Sequence, residues 1–357
     1  MSSPKILLTG ATGFIGGTVL AALLDHPVLK DAVITLLLRG KSHANTLEAT
    51  YGSRVNTVIY EDIDDAATTT TAASKVDMVI NAGPGFHLGA PEALIRGLAQ
   101  RKSETGRDVW MIHTSGTSNV AERFISKIHL YEHPDLELDD ANDDVYAYEK
   151  KLEEERKYQQ RIVELRVVEL GLELGVKTVS IQSPIIFGKG RGLFNQSSIT
   201  IPASVRSALK HGHMVLIEDG RGIWGHVHVA DLAELYAIVA VKLLEKADVP
   251  TGKKGIIFSA NGEHTWKSLA QKAADALVSE GRLNTAVLKS VKLSEGPKYL
   301  SFEGFESNEE MVEMGFASNA MTISTVGRTL GWNPKRGEEA WNKGFEDDVK
   351  AVLAERK

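Results

Sequence analysis

Gly10, Gly13 and Gly16 are spaced at three-residue intervals in Thr9-Gly10-Ala11-Thr12-Gly13-Phe14-Ile15-Gly16, directly after the run from Lys5 to Leu8. A strand feeding a glycine-rich turn that opens a helix makes an anion cradle. The first glycine permits a tight turn, the second lets backbone approach a pyrophosphate, and the third lets helix pack on strand. The helix N-terminus then offers free N–H groups and partial positive charge to the phosphates. A second apolar run ends in Leu38-Arg39-Gly40-Lys41, where a protein that binds NAD carries an acid for the ribose hydroxyls. Arg39 and Lys41 put two cations there instead, the charge a 2′-phosphate needs. The expected cofactor is NADP rather than NAD.

Such a cradle needs a sheet to hold it. Candidate strands at Lys5–Leu8, Val33–Leu38, Thr57–Tyr60, Met78–Asn81, Val109–His113 and Lys177–Gln182 alternate with amphipathic stretches such as Gly13–Leu24 and Glu92–Arg101. Near-continuous apolar strands separated by helices predict an α/β, doubly wound parallel sheet of the Rossmann type. The expected division is a dinucleotide-binding domain over 1–188 and a smaller C-terminal substrate-binding lobe over 189–357, with about 225–260 returning to the first domain. The Thr68–Thr71 run reads as a loop or a helix start, and the charge-dense stretch Lys150–Arg161 as a solvated helical face.

The 357 residues are 43% hydrophobic and 25% charged, as in a globular protein. With 41 basic against 47 acidic residues, the net charge of −6 gives no footprint for nucleic acid or an anionic membrane. There are no cysteines, which excludes disulfides, thiolate metal sites and a cysteine nucleophile. His226 and His228 would point to opposite sides of an extended segment, so no metal site is expected there. Asp231 reads as a residue at a helix start. No apolar run approaches the ~20 residues of a membrane helix, and a strand pattern reached by Lys5 leaves no room for a signal peptide. The expected location is cytoplasmic.

On the Gly10, Gly13, Gly16 spacing the chain resembles the extended short-chain dehydrogenase/reductase superfamily, in its epimerase/dehydratase group. In particular it resembles an atypical branch common in fungi, and the resemblance covers nearly the whole chain. It implies that Thr12, Phe14 and Ile15 belong to the cofactor turn and that Asp62-Ile63 contacts the adenine. It also implies that Asn81-Ala82-Gly83 lines the cofactor and that Pro184 and Ile186, in Ser183-Pro184-Ile185-Ile186, meet the nicotinamide. Phe194-Asn195 and the Trp224 loop are expected to wall the substrate pocket.

The family's chemistry uses a tyrosine as general acid or base, a lysine that lowers its pKa, and a serine or threonine that holds the substrate oxygen. The resemblance places the hydroxyl at Ser115, in His113-Thr114-Ser115-Gly116-Thr117 at the carboxyl end of the fifth strand, where ligands bind in this architecture. The tyrosine has two registers. Tyr146 and Lys150 satisfy Tyr-x-x-x-Lys and would share one helical face. They also require added helix or a break near Glu153–Arg156. The family's helix length, counted back from Gly175, lands instead near Lys157 and Tyr158, with Arg161 as the available cation and no lysine at the family position. Loss of both pairs is the third alternative. The resemblance implies an NADP(H)-dependent oxidoreductase acting on a carbonyl or alcohol group of a small organic substrate, possible homodimer formation through two packed helices included. A redox-neutral epimerase or dehydratase and a non-catalytic NADP sensor are the rival readings.

Overall fold

The strands of the central sheet are short runs of Ile, Leu, Val and Met buried on both faces, as parallel strands covered by helices must be. In this computed structural model, residues 4–133, 136–304 and 306–355 are described. The chain begins β1 (Lys5–Thr9), α1 (Phe14–Asp25), β2 (Val33–Arg39), α2 (Lys41–Tyr51), β3 (Val55–Tyr60), α3 (Ala66–Ala73), β4 (Met78–Asn81), α4 (Gly89–Thr105) and β5 (Trp110–Gly116). A two-residue strand β6 (Leu138–Asp139), helices α5 (Val145–Glu155) and α6 (Gln159–Leu174), and β7 (Lys177–Ser183) follow. The chain then runs through β8 (Ile185–Phe187), α7 (Thr200–His211), β9 (Val215–Ile217), β10 (Ile223–His228), α8 (Val229–Leu244), β11 (Ile256–Phe258), β12 (Glu263–Thr265) and α9 (Trp266–Ser279). It closes with β13 (Lys289–Val291), α10 (Glu309–Phe316), β14 (Thr322–Ile323), α11 (Thr325–Thr329) and α12 (Glu338–Ala354).

Seven strands form one parallel sheet in the order β11-β7-β5-β4-β1-β2-β3. The order reverses between β1 and β4, and a crevice at such a switch point is where this architecture binds ligands. Alternation along β1 sends Ile6 and Leu8 to a core with Val19, Leu20 and Leu23 of α1 and Leu235, Tyr236 and Val239 of α8. Leu7 faces the other way, into a layer with Leu94, Leu98, Val167 and Leu170 of α4 and α6. The fold is thus a doubly wound α/β Rossmann type. From the stretch 225–260, α8 packs on α1 and β11 pairs with β7 at the sheet's edge. A separate core gathers Phe187, Trp224, Trp266, Trp341 and Phe345 among α7, α9 and α12.

The sequence pattern leaves two helices undetermined, for physical reasons. The Thr68–Thr71 run lies inside α3, whose start Asp65 caps by accepting from the Thr68 amide at 3.0 Å. Helix α2 buries only Ala44 and Leu47, too narrow an apolar face to read from sequence. Among the described residues no helix is long and apolar enough to cross a membrane.

Candidate active site

The glycine turn is built so tightly that side chains cannot enter it. Gly10 has φ +72°, and a Cβ there would lie 2.2 Å from the Ala82 carbonyl oxygen. A Cβ on Gly16 would lie 2.2 Å from the Gly10 carbonyl oxygen. The first glycine therefore seats β1 against the end of β4, and the third seats α1 against the turn. Gly13 is the N-cap of α1 and supplies no side-chain cap, which leaves the first-turn amides available to an anion. Thr9 Oγ1 donates to Asn81 Oδ1 at 2.7 Å, and Asn81 Nδ2 lies 3.1 Å from His113 Nδ1. Burial pushes His113 down to about 4, so its ring is neutral and can accept that bond. One chain of side chains thereby ties the ends of β1 and β4 to the middle of β5, with Ala82 and Gly83 directly after β4.

Arg39 and Lys41 are exposed on either side of Gly40, at the end of β2 and the start of α2. Neither forms a salt bridge among the described residues, so both charges are available to a phosphate. Asp62 is exposed in a local turn, accepting from the Asp64 amide at 2.8 Å, and Ile63 is half-buried. Pro184 is buried and Ile186 half-buried, between the end of β7 and β8, which pairs with β10. A cradle that only glycine can form, with open helix amides beside it, fits the pyrophosphate of a dinucleotide. Arg39→Ala should weaken NADPH binding about tenfold, or ~1.4 kcal/mol, while leaving NADH nearly unchanged. Fluorescence titration of both nucleotides checks this.

A strap over residues 188–196 crosses the turn. Its Asn195 amide donates to the Thr12 carbonyl at 3.2 Å and its Arg191 amide to Thr18 Oγ1 at 3.0 Å. A Cβ on Gly17 would lie 2.9 Å from Gly192 Cα. Phe194 packs edge-on against His43 of α2, with ring centroids 4.5 Å apart. Phe194 and Asn195 thus meet the glycine turn and α2. Trp224 is buried, and its indole N–H donates to Ser318 Oγ at 3.1 Å. His226 stacks on Trp341, with centroids 4.1 Å apart, and His228 Nδ1 accepts from the Ala230 amide as the cap of α8. Asp231, in the first turn of α8, holds the C-terminal segment by accepting from the Arg336 amide at 2.8 Å.

Ser115 sits at the carboxyl end of β5 and is 4% exposed. It faces α6, where its hydroxyl lies 2.5 Å from Glu164 Oε2. Asn119 Nδ2 donates to Ser115 Oγ at 3.0 Å and also to Glu164 Oε2. Gln182 Nε2, from β7, donates to Glu164 Oε2 at 3.0 Å and to Glu149 Oε1 of α5. Thr114 points to the opposite face, 2.7 Å from the Tyr236 hydroxyl, and Thr117 is buried. Glu149, Glu164 and Gln182 escaped the sequence reading. The available signal was an acid inside the apolar run Ile162-Val163-Glu164-Leu165 of α6.

The two tyrosine registers end in different places. Tyr146 donates to Glu169 Oε1 at 3.0 Å, and Lys150 Nζ reaches the same oxygen at 3.0 Å. Glu169 lies five residues beyond Glu164 on α6, about 140° around the helix, so this pair is turned away from Ser115. Burial first, then Glu169, pushes Tyr146 up to about 12. Tyr146→Phe and Lys150→Ala should leave NADPH affinity and turnover unchanged and cost under about 1 kcal/mol in a urea melt.

Tyr158 is the N-cap of α6 and sits beside Phe86, with ring centroids 6.1 Å apart. Burial raises its pKa, while Ser118 and the charges of Arg161 and Arg123 offset part of the rise. Ser118 donates to Gln160 Oε1 at 2.6 Å, and Gln160 lies across Gly85 and Gly116. Tyr158, Ser118 and Gln160 therefore gather at the ends of β4 and β5, and the last two were not read from the sequence. Arg161 is fully buried; its Nε donates to the Asn119 carbonyl at 2.7 Å and its Nη1 to the Arg156 carbonyl at 3.1 Å. Its main bonds secure the turn after β5 and the break at Arg156 that separates α5 from α6. The stretch Lys150–Arg161 is consequently not one solvated face: Glu153 and Arg161 are buried and paired, while Lys151, Glu154 and Lys157 are exposed.

Among the described residues no cluster of three or more His, Asp or Glu is placed to hold a metal. A family model described as the NAD dependent epimerase/dehydratase family matches residues 6–250. The oxidase ucsJ of an Acremonium species is 28% identical over 305 residues, covering 82% of this chain and 84% of that protein. The dTDP-glucose 4,6-dehydratase DesIV of Streptomyces venezuelae, solved with NAD bound, superposes with a TM-score of 0.64 at 16% identity, covering 99% of this chain and 98% of that one. The UDP-glucose 4-epimerase of Thermus thermophilus, in complex with NAD, gives 0.59 at 15% identity over 98% of this chain and 99% of the other. At these identities the structural likeness is one of fold.

Proposed function

The chain belongs to the NAD dependent epimerase/dehydratase family, and from that premise we propose an NADP(H)-dependent oxidoreductase that acts on a carbonyl or alcohol carbon of a small organic substrate. Gly10, Thr12, Gly13, Phe14, Ile15 and Gly16 form the pyrophosphate seat. Arg39 and Lys41 take the 2′-phosphate, and Asp62 with Ile63 borders the adenine. Asn81, Ala82, Gly83, Pro184 and Ile186 border the nicotinamide end. When bound, the dinucleotide supplies or accepts a hydride. Ser115 holds the substrate oxygen. Tyr158 closes the same end of the sheet with Ser118 and Gln160, and Arg161 keeps that corner rigid.

The observation that supports this reading best is Ser115 at the end of β5, two strands from the glycine turn and on the side where the sheet's switch point opens. NADPH and NADH titrations of the wild type and of Arg39→Ala test the cofactor. NADPH oxidation against a panel of alkyl and aryl aldehydes and ketones tests the reaction. Tight NADPH binding with carbonyl-dependent oxidation is expected; binding of neither nucleotide would sink the proposal. The redox-neutral alternative is favoured by one feature, the strap tied to Thr12 and Thr18, which would help retain the dinucleotide between cycles.

A further inference from the structure

We propose that Ser115 and Glu164 form a proton relay at the end of β5, in which Glu164 is a positioning residue that returns a proton to the serine and Glu149 is its partner in a buried carboxyl pair. The inference rests on the oxidoreductase reading and supplies the proton which that reaction requires. Reducing a carbonyl to an alcohol takes one hydride and one proton. The hydride is the bound dinucleotide's contribution, and the proton falls to this chain. The Ser115 O–H bond breaks as the substrate oxygen takes its proton, the Glu164 O–H bond breaks to restore the serine, and Glu164 is left ionised until solvent reprotonates it. Oxidation of an alcohol runs the same steps backward.

The hydrogen bonds suit both states. With Glu164 ionised, Ser115 donates to it across 2.5 Å. With Glu164 protonated the bond reverses, Asn119 still donates to Ser115 Oγ, and the serine's own proton is free for substrate. Gln182 Nε2 donates to both carboxyls, which brings two like charges to one amide inside the protein. Among the described residues Glu149 Oε2 and Glu164 Oε1 are buried without hydrogen-bond partners, an arrangement a protonated carboxyl tolerates and two full charges do not. Burial raises Glu164 above the ordinary carboxylate range, with Ser115, Gln182, Asn119 and Ser180 offsetting part of it. Burial and the charge of Glu164 raise Glu149; Gln182 and Arg161 oppose that rise, and Glu153 adds to it. A carboxyl tuned toward neutrality is well matched to general acid–base work.

The test combines infrared pH titration of the carboxyl stretch with NADPH oxidation by wild type, Ser115→Ala, Glu164→Gln and Glu164→Asp. The relay predicts a carboxyl band that titrates near neutrality, shifts in Ser115→Ala and vanishes in Glu164→Gln. It also predicts a kcat loss of about 100-fold in Glu164→Gln, with the neutral-pH limb gone, KM little changed and partial rescue by Glu164→Asp. Ser115→Ala combined with Glu164→Gln should lose no more than Ser115→Ala alone. Turnover that ignores Glu164→Gln, or a pair with no titrating band, overturns the relay alone. A wild type that oxidises no NADPH with any carbonyl overturns the oxidoreductase reading and the relay with it.

Discussion

Gly16→Ala should reduce NADPH affinity about 100-fold, close to 2.7 kcal/mol, without unfolding the chain. The added methyl would meet the Gly10 carbonyl oxygen at 2.2 Å and its carbon at 2.6 Å, both backbone atoms that no rotamer change can move aside. Either α1 lifts from β1 or the turn opens, and both displace the helix amides from the phosphates. Overpacking of this kind costs roughly 1–3 kcal/mol of stability, which a chain with this much buried core can absorb. Gly337→Ala is the control. A Cβ there meets nothing within 4 Å, so binding should be unchanged. Fluorescence titration with circular dichroism on both variants decides the matter. Wild-type affinity in Gly16→Ala would mean that the dinucleotide does not use this turn.

Asp348→Asn should stabilise the protein at pH 8 by about 4 kcal/mol and leave it unchanged near pH 3, given 1.36 kcal/mol per pKa unit. Asp348 on α12 is 5% exposed, and Oδ2 accepts from Ser198 Oγ at 3.1 Å. Burial, reinforced by Asp347, pushes its pKa up to about 7 against the donation from Ser198 and the charge of Arg206. A carboxyl whose folded pKa is raised contributes its full stability below its unfolded pKa of about 4. That contribution is lost as pH rises through the folded value near 7. The asparagine keeps the acceptor for Ser198 and removes the charge, so its advantage should appear between those limits and level off above them. Urea melts at pH 3, 5 and 8 measure it. An advantage independent of pH would contradict the assignment of a buried ionising group.

The positions of the first five strands and the glycine turn were legible because each depends on local pattern. Apolar runs bounded by turns fix β1 to β5, and the spacing of Gly10, Gly13 and Gly16 encodes a backbone geometry that other residues cannot take. The positions of Arg39 and Lys41 were legible, the first as the residue that ends β2 and the second two residues on, where α2 starts. The tyrosine register was not. It depends on whether the helix before β7 is continuous, and the break at Arg156 carries no proline or glycine to announce it. The break is held by distant partners: Arg156 pairs with Glu310 of α10, and Arg161 reaches the Arg156 carbonyl. Glu149 and Glu164 were hidden for a related reason. Each reads as an ordinary helical acid until β5 and β7 bring Ser115 and Gln182 against it, and only tertiary contact turns a surface residue type into a buried one.

The parallel sheet also sets a timetable for the growing chain. β7 ends at Ser183, yet its outer neighbour β11 begins only at Ile256, after β10 and α8 have been made. At ~5–20 residues per second, this gap lasts on the order of ten seconds. Throughout that interval the backbone edge of β7 is a template for pairing with other chains. Helix α1 likewise waits for α8 to cover its apolar side. Ribosome pausing between these two points would lengthen the most association-prone stage of biogenesis, whereas faster elongation through it would shorten that stage without altering any contact in the finished molecule.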